Sequence, residues 1–139
     1  MKGFFYLALF LTTSGLSAQT ENVDWVTDYK SAITAAKSQD QLILAYFVRA
    51  GSSDGHGLLE RAFFKSEMLQ YLRDRAVFLK LNITNNAYAK RMAVHYTGND
   101  KVPAIALIDA NQKIIGEPLV QINADTIANF MSFLKSQIK

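Results

Sequence analysis

The sequence predicts one α/β domain, a central mixed four-stranded sheet flanked by helices, in the order α-β-α-β-α-β-β-α. Three observations carry that prediction. The continuous apolar run Leu42 to Val48 (LILAYFV) has the length and composition of a strand buried on both faces. Segments with a helical period alternate with it and with two further strand-like runs. The last of those runs is followed by a tight connection and another short apolar segment, the pattern of an antiparallel hairpin. A chain of 139 residues fits one domain. It is 50% hydrophobic and 19% charged, which excludes a disordered chain. Two prolines and seven glycines exclude collagen-like and Pro-rich architectures.

The first segment reads as a targeting signal. Met1 and Lys2 give a short basic start, Phe4 to Leu11 (FFYLALFL) is compactly apolar, and Thr12 to Ala18 (TTSGLSA) is small and polar. That is the layout of a secretory signal peptide over residues 1–18, with cleavage after Ala18 and a domain over 19–139. The apolar run is too short to span a bilayer, so no membrane insertion is expected after cleavage. The protein is expected to be exported, periplasmic or secreted.

The remaining elements follow in order. Trp25, Tyr29, Ile33 and Ala36 form one face of a helix over 24–38, with Trp25 packing on the core. The Leu42 to Val48 strand then enters a Gly/Ser-rich loop, Arg49 to Gly57 (RAGSSDGHG). Leu58, Leu59, Ala62, Phe63, Leu69 and Leu72 predict a long helix from about Leu58 to Arg73. Ala76 to Ile83 (AVFLKLNI) is a second strand. Tyr88, Met92 and Tyr96 mark a helix over 87–96. Ala104 to Asp109 is a third strand, and Lys113 to Gly116 its hairpin partner across Ala110-Asn111-Gln112. Ile127, Phe130, Met131, Leu134 and Ile138 predict a terminal amphipathic helix. Strands joined through a helix should be parallel, the closing hairpin antiparallel.

Composition narrows the chemistry. There are 15 Lys and Arg against 12 Asp and Glu, a net charge of +3, with the cations scattered rather than gathered in a stripe. No nucleic-acid partner is expected from that pattern. There is no cysteine, which excludes a thiol nucleophile, a disulfide, an iron–sulfur cluster and a Cys-ligated zinc within this chain. Asp54, His56 and His95 are the one candidate metal set, and two distant histidines do not make a ligand pattern, so no metal or cofactor is expected. GSSDGHG lacks the Gly-Lys-Ser/Thr ending of a phosphate loop. His95, beside Met92 and Tyr96, reads as structural. Asn82-Ile83-Thr84 matches a glycosylation sequon but lies in a predicted buried strand.

These residues together resemble the thioredoxin superfamily over nearly all of the chain after residue 18. In that family a buried strand runs into a loop holding Cys-x-x-Cys, which opens a long helix. Here LILAYFV, RAGSSDGHG and GLLERAFF stand in that order. FLKLNIT is similar to the family's next strand, with Asn82 where Asp is usual, and AKRMAVHYTGNDKVPAIALID is similar to the segment facing the active site. Val102-Pro103-Ala104 takes the place of Val-Pro-Thr, whose proline is cis in the family. ANQKIIGEP resembles the following hairpin. The departure lies at the motif: the two cysteine positions fall on Ser53 and His56, giving Ser-Asp-Gly-His.

That departure removes the family's redox activity. Dithiol exchange needs a thiolate to attack sulfur and a second thiol to resolve the mixed disulfide, and a hydroxyl starts many pKa units too high to substitute. What the resemblance leaves is a peptide-docking groove. In the family the proline loop leaves a backbone edge free to pair with an extended peptide, which is β-augmentation. The expected reading is therefore a redox-inactive, chaperone-like module binding a protein or extended peptide. Its expected contact residues are Ser52, Ser53, Asp54, His56, Val102, Pro103 and Ala104, within the Gly51 to Gly57 loop and the Pro103 loop. Two other classes stay open. One is an enzyme, with Ser53 and His56 as a nucleophile–base pair or Ser53 supporting the thiolate of bound glutathione, as a serine does in some glutathione transferases. The other is a structural subunit of an envelope assembly. Oligomeric state is not legible.

Overall fold

The structure, a computed structural model, describes residues 23–51 and 53–139. The signal segment expected over 1–18 and Ser52 lie outside the described residues. Strand β1 (Leu42–Val48) is central. It pairs in parallel with β2 (Ala76–Asn82) and antiparallel with β3 (Ala104–Ile108), so the strand order is β2-β1-β3. Alternation along β1 sends its side chains to two cores. Leu44, Tyr46 and Val48 pack with α2 (Asp54–Leu59), α3 (Glu67–Leu72) and α5 (Ala124–Gln137). Ile43, Ala45 and Phe47 pack with α1 (Tyr29–Gln39) and α4 (Ala87–Thr97). Among the described residues no helix is long and apolar enough to cross a membrane.

Four sequence expectations are corrected. The first helix starts at Tyr29 rather than residue 24, because Asp28 caps it, its carboxylate accepting from the Ser31 N–H at 2.9 Å. Ahead of the cap the chain is extended. Val26 bridges Leu79 in parallel, and Trp25 lays its ring on Tyr46, Phe64 and Phe78 without being helical.

The long helix after the loop is three pieces. α2 opens at Asp54, runs into a π-helical turn at Glu60–Phe64, and stops. The wider turn lets the consecutive Phe63 and Phe64 both reach the core, ring to ring at 5.0 Å and nearly perpendicular. Ser66 then starts α3. Its hydroxyl donates to Phe63 O at 2.6 Å and accepts from Leu69 N at 3.3 Å.

The sheet has three strands among the described residues, and the hairpin partner survives as two isolated bridges, Ile108 to Ile114 and Ile105 to Leu119. Moving three residues along β3 takes five along its partner, so two extra residues bulge out between the bridges. Gly116, at φ +66°, and Pro118, which has no N–H to give, occupy that bulge. Finally, Asn82 is exposed at the end of β2, not buried within it; its side-chain oxygen accepts from Thr84 N at 2.9 Å.

The second core holds a hydroxyl pair. Tyr29 and Tyr96 meet hydroxyl to hydroxyl at 2.5 Å, Tyr29 reaches the Gln112 side chain at 3.1 Å, and Tyr96 donates to the Gln112 carbonyl at 3.0 Å. Two hydroxyl protons cannot serve three contacts. The count closes when the Gln112 amide turns its NH2 to Tyr29, which then donates to Tyr96.

Gly116 gives a stability test. A Cβ there would stand 2.4 Å from Phe133 Cζ on a left-handed backbone. Gly116→Ala is expected to lose about 1–2 kcal/mol from the backbone alone, and more for displacing the Phe133 ring, read from urea unfolding midpoints at unchanged m-value.

Candidate functional site

Ser53 ends the loop and caps α2, its Oγ accepting from the His56 backbone N–H at 3.1 Å. Asp54 is the first helical residue and is exposed, where its charge suits the helix N-terminus. His56 turns its ring toward the core. Its Nδ1 lies 2.7 Å from the Tyr46 hydroxyl, and its Nε2 lies 3.7 Å from Glu60 Oε1. The two rings are within 8° of parallel.

Tyr46 explains why. It sits at an inward position of β1 with no exposed surface, so its phenol needs a partner inside the protein. Burial first, and the Glu60 charge second, push the phenol above the ordinary tyrosine range. It stays protonated. A neutral phenol donating to Nδ1 leaves the Nε2 proton facing Glu60. Tyr46, His56 and Glu60 thus form one polar line from core to surface.

Both imidazole nitrogens are directed at Tyr46 and Glu60, while Ser53 Oγ takes a backbone N–H. Ser53 and His56 are neighbours without the side-chain hydrogen bond that a nucleophile–base pair requires.

The proline loop closes the site. The Val102–Pro103 peptide is cis. Gly55 lies under it, so that a Cβ added there would stand 3.4 Å from Pro103 Cγ. Ser53, His56, Val102 and Pro103 line one cavity of about 130 Å³, together with the chain leaving β1 from Val48 to Gly51. Of the other expected contact residues, Asp54 lies outside that lining. Ala104 is fully buried as the first residue of β3, opposite Phe47, so its side chain faces the core. The loop is anchored at its start, where Ala50 N donates to Thr84 Oγ1 at 2.8 Å.

Tyr46, Glu60 and Arg49 were not singled out from sequence. The signal for Tyr46 was present: it is the one polar side chain in an otherwise apolar strand run. Glu60 stands four residues after His56 on the same helix face. His95 is exposed on α4 with its ring edge-on to Tyr96, 4.7 Å between centroids. Among the described residues no three His, Asp or Glu side chains gather as metal ligands do.

No family model matches the sequence, and no curated protein matches it. Solved structures do. A structure titled DsbH oxidoreductase aligns over 86% of this chain and 89% of its own, with a TM-score of 0.63 and 14% identity. The thioredoxin of Thermus thermophilus aligns over 80% and 84%, with a TM-score of 0.64 and 15% identity. The oxidised C-terminal domain of DsbD from Neisseria meningitidis aligns over 81% and 97%, with a TM-score of 0.59 and 16% identity. At such identities the likeness speaks for the fold. The chain has a thioredoxin-like fold, and none of its 139 residues is a cysteine.

Tyr46 and Tyr96 set an alkaline limit. Burial is the main cause of the raised pKa in both. An unfolded tyrosine loses its proton near pH 10 while the folded one keeps it. The unfolded state then binds fewer protons, so stability is full below pH ~10 and falls above it. Both tyrosines are expected to contribute to the fall, since each is ionised in the unfolded chain before it is in the folded one. Urea unfolding between pH 9 and 11 checks this; Tyr46→Phe and Tyr96→Phe should each flatten the fall.

Proposed function

We propose that the protein is an exported, redox-inactive thioredoxin-fold module that holds an extended peptide or protein segment, chaperone-like, between the Gly51 to Gly57 loop and the Pro103 loop. The observation that carries this reading is the joint lining of one cavity by Ser53, His56, Val102 and Pro103 in a chain that has no sulfur nucleophile. A hydroxyl already used as a helix cap and an imidazole already spanning Tyr46 and Glu60 have no part in thiol exchange. Main-chain pairing needs neither, because it draws on backbone N–H and C=O groups, with side-chain pockets tuning the fit. The hydrolase alternative loses its support with the missing Ser53–His56 hydrogen bond. Export rests on the layout of residues 1–18, and the chain recovered from outside the cytoplasm should begin at Gln19 by intact mass.

An insulin-reduction assay with the pure protein is expected to show no turnover, and robust turnover ends the redox-inactive reading. Ser53→Ala should cost about 1 kcal/mol as a lost cap and leave peptide retention nearly unchanged. Val102→Asp, which puts a charge beside the loop, should abolish retention with circular dichroism unaltered. Retention that survives Val102→Asp sinks the proposed site.

A further inference from the structure

Three cavities on this molecule share lining residues end to end. The cavity at Pro103 shares Arg49 with a second, of about 410 Å³, beside the Thr84 to Ala87 turn. The second shares Ala87 and Lys90 with a third, of about 740 Å³, along the outer face of α4. The third is walled by Tyr29, Tyr88, Tyr96, Met92 and Val94. Tyr88 and Val94 keep 39% and 44% of their surface exposed, so this end of the track is apolar and uncovered.

The charges along the track have one sign. Arg49, Lys90 and Arg91 line it, and no Asp or Glu lines any of the three cavities. Arg49 lies at the junction of the first two cavities and enters no ion pair among the described residues. Lys90 has Asp100 at 3.4 Å, an exposed pair that is easily exchanged. Arg91 stands 6.0 Å from the Tyr88 ring centre. Asp28 and Asp109 act on the Tyr88 and Tyr96 phenols from outside the lining.

We infer that the track takes an extended acidic peptide. Its backbone meets the Pro103 loop, its carboxylates face Arg49 and then Lys90 and Arg91, and a bulky apolar side chain seats among the α4 tyrosines. The inference rests on the peptide-binding reading and adds the partner's charge, its extent and its anchor. Complementary charge sets specificity and association rate, and an aromatic-walled pocket supplies the anchor. A strand-like peptide suits a row of adjoining cavities better than a globular partner does, because alternate side chains drop into successive pockets.

The test is fluorescence anisotropy with the folded protein and three labelled probes: a peptide of alternating Glu and Val ending in Phe-amide, the same peptide with Lys for Glu, and an oligothymidylate. The Glu probe should bind saturably and the Lys probe at least tenfold more weakly. Arg49→Glu and Arg91→Glu, both exposed positions, should each weaken the Glu probe about two- to fivefold, and together about four- to twenty-five-fold. The preference should fade near 1 M salt, where the screening length is about 3 Å. Equal binding of the Glu and Lys probes, or no loss in Arg91→Glu while Val102→Asp still abolishes binding, overturns the track and leaves the Pro103 site standing. Preference for the oligothymidylate overturns it in favour of a nucleic acid. Failure of both peptides to bind overturns the track and the peptide reading together.

Discussion

Strand β1 has no outward face, and the rest of the architecture follows from that constraint. Each of its seven residues must enter one of two cores, and the pleat decides which. Six of the seven bring only carbon. Tyr46 brings a hydroxyl into a space where an unpaired polar group costs about 1–3 kcal/mol. The strand ends two residues later, and the first turn of α2 passes over that end. His56 is placed there to take the phenol, and Glu60 stands one turn further on to face the second imidazole nitrogen. The candidate site is therefore tied to the core through the one polar side-chain atom of the central strand. The Tyr29, Tyr96 and Gln112 contacts solve the same problem on the other side of the sheet.

The two positions that resemble a cysteine pair carry structural duties. Ser53 satisfies an N–H that the first turn of a helix leaves without a partner. His56 satisfies the phenol. Neither duty calls for ionisation, and neither leaves a reactive atom poised toward the other. The start of α2 is held here by a hydroxyl cap and a phenol–imidazole hydrogen bond. What the site keeps is shape: a proline loop laid over Gly55 and a small cavity between the loop and the end of β1.

Much of the fold was legible because periodicity is a local signal with a global cause. LILAYFV has no alternation, and a strand without alternation has to be covered on both faces; β1 is. The helix boundaries were harder. Trp25 fits the spacing of Tyr29 and Ile33, so an apolar stripe extends into a segment that Asp28 makes non-helical. The break after Phe64 is hidden because apolar residues continue on both sides of it; the six-residue gap from Phe63 to Leu69 and the Ser66-Glu67 start were its signals. The hairpin was legible in topology and not in pairing, since Gly116 and Pro118 divert the chain without changing its apolar content. At the site, the loop and Pro103 were legible as sequence neighbours of recognisable elements. The Tyr46–His56–Glu60 line was not, because it joins a strand to a helix through a contact that no spacing encodes.

The pieces around the site are short. α2 has six residues, the π turn five and α3 six, and isolated helices below about 12–15 residues are marginal in water. None of the three persists on its own propensity. Each is held by something outside itself: α2 by Ser53, Tyr46 and Pro103, the π turn by Phe63 and Phe64 in the core, α3 by Ser66. Segments assembled this way open locally at lower free energy than the sheet does. A ligand lying against Ser53, His56 and Pro103 touches the anchors of the least self-sufficient part of the chain, so binding there and local order are the same equilibrium seen from two sides.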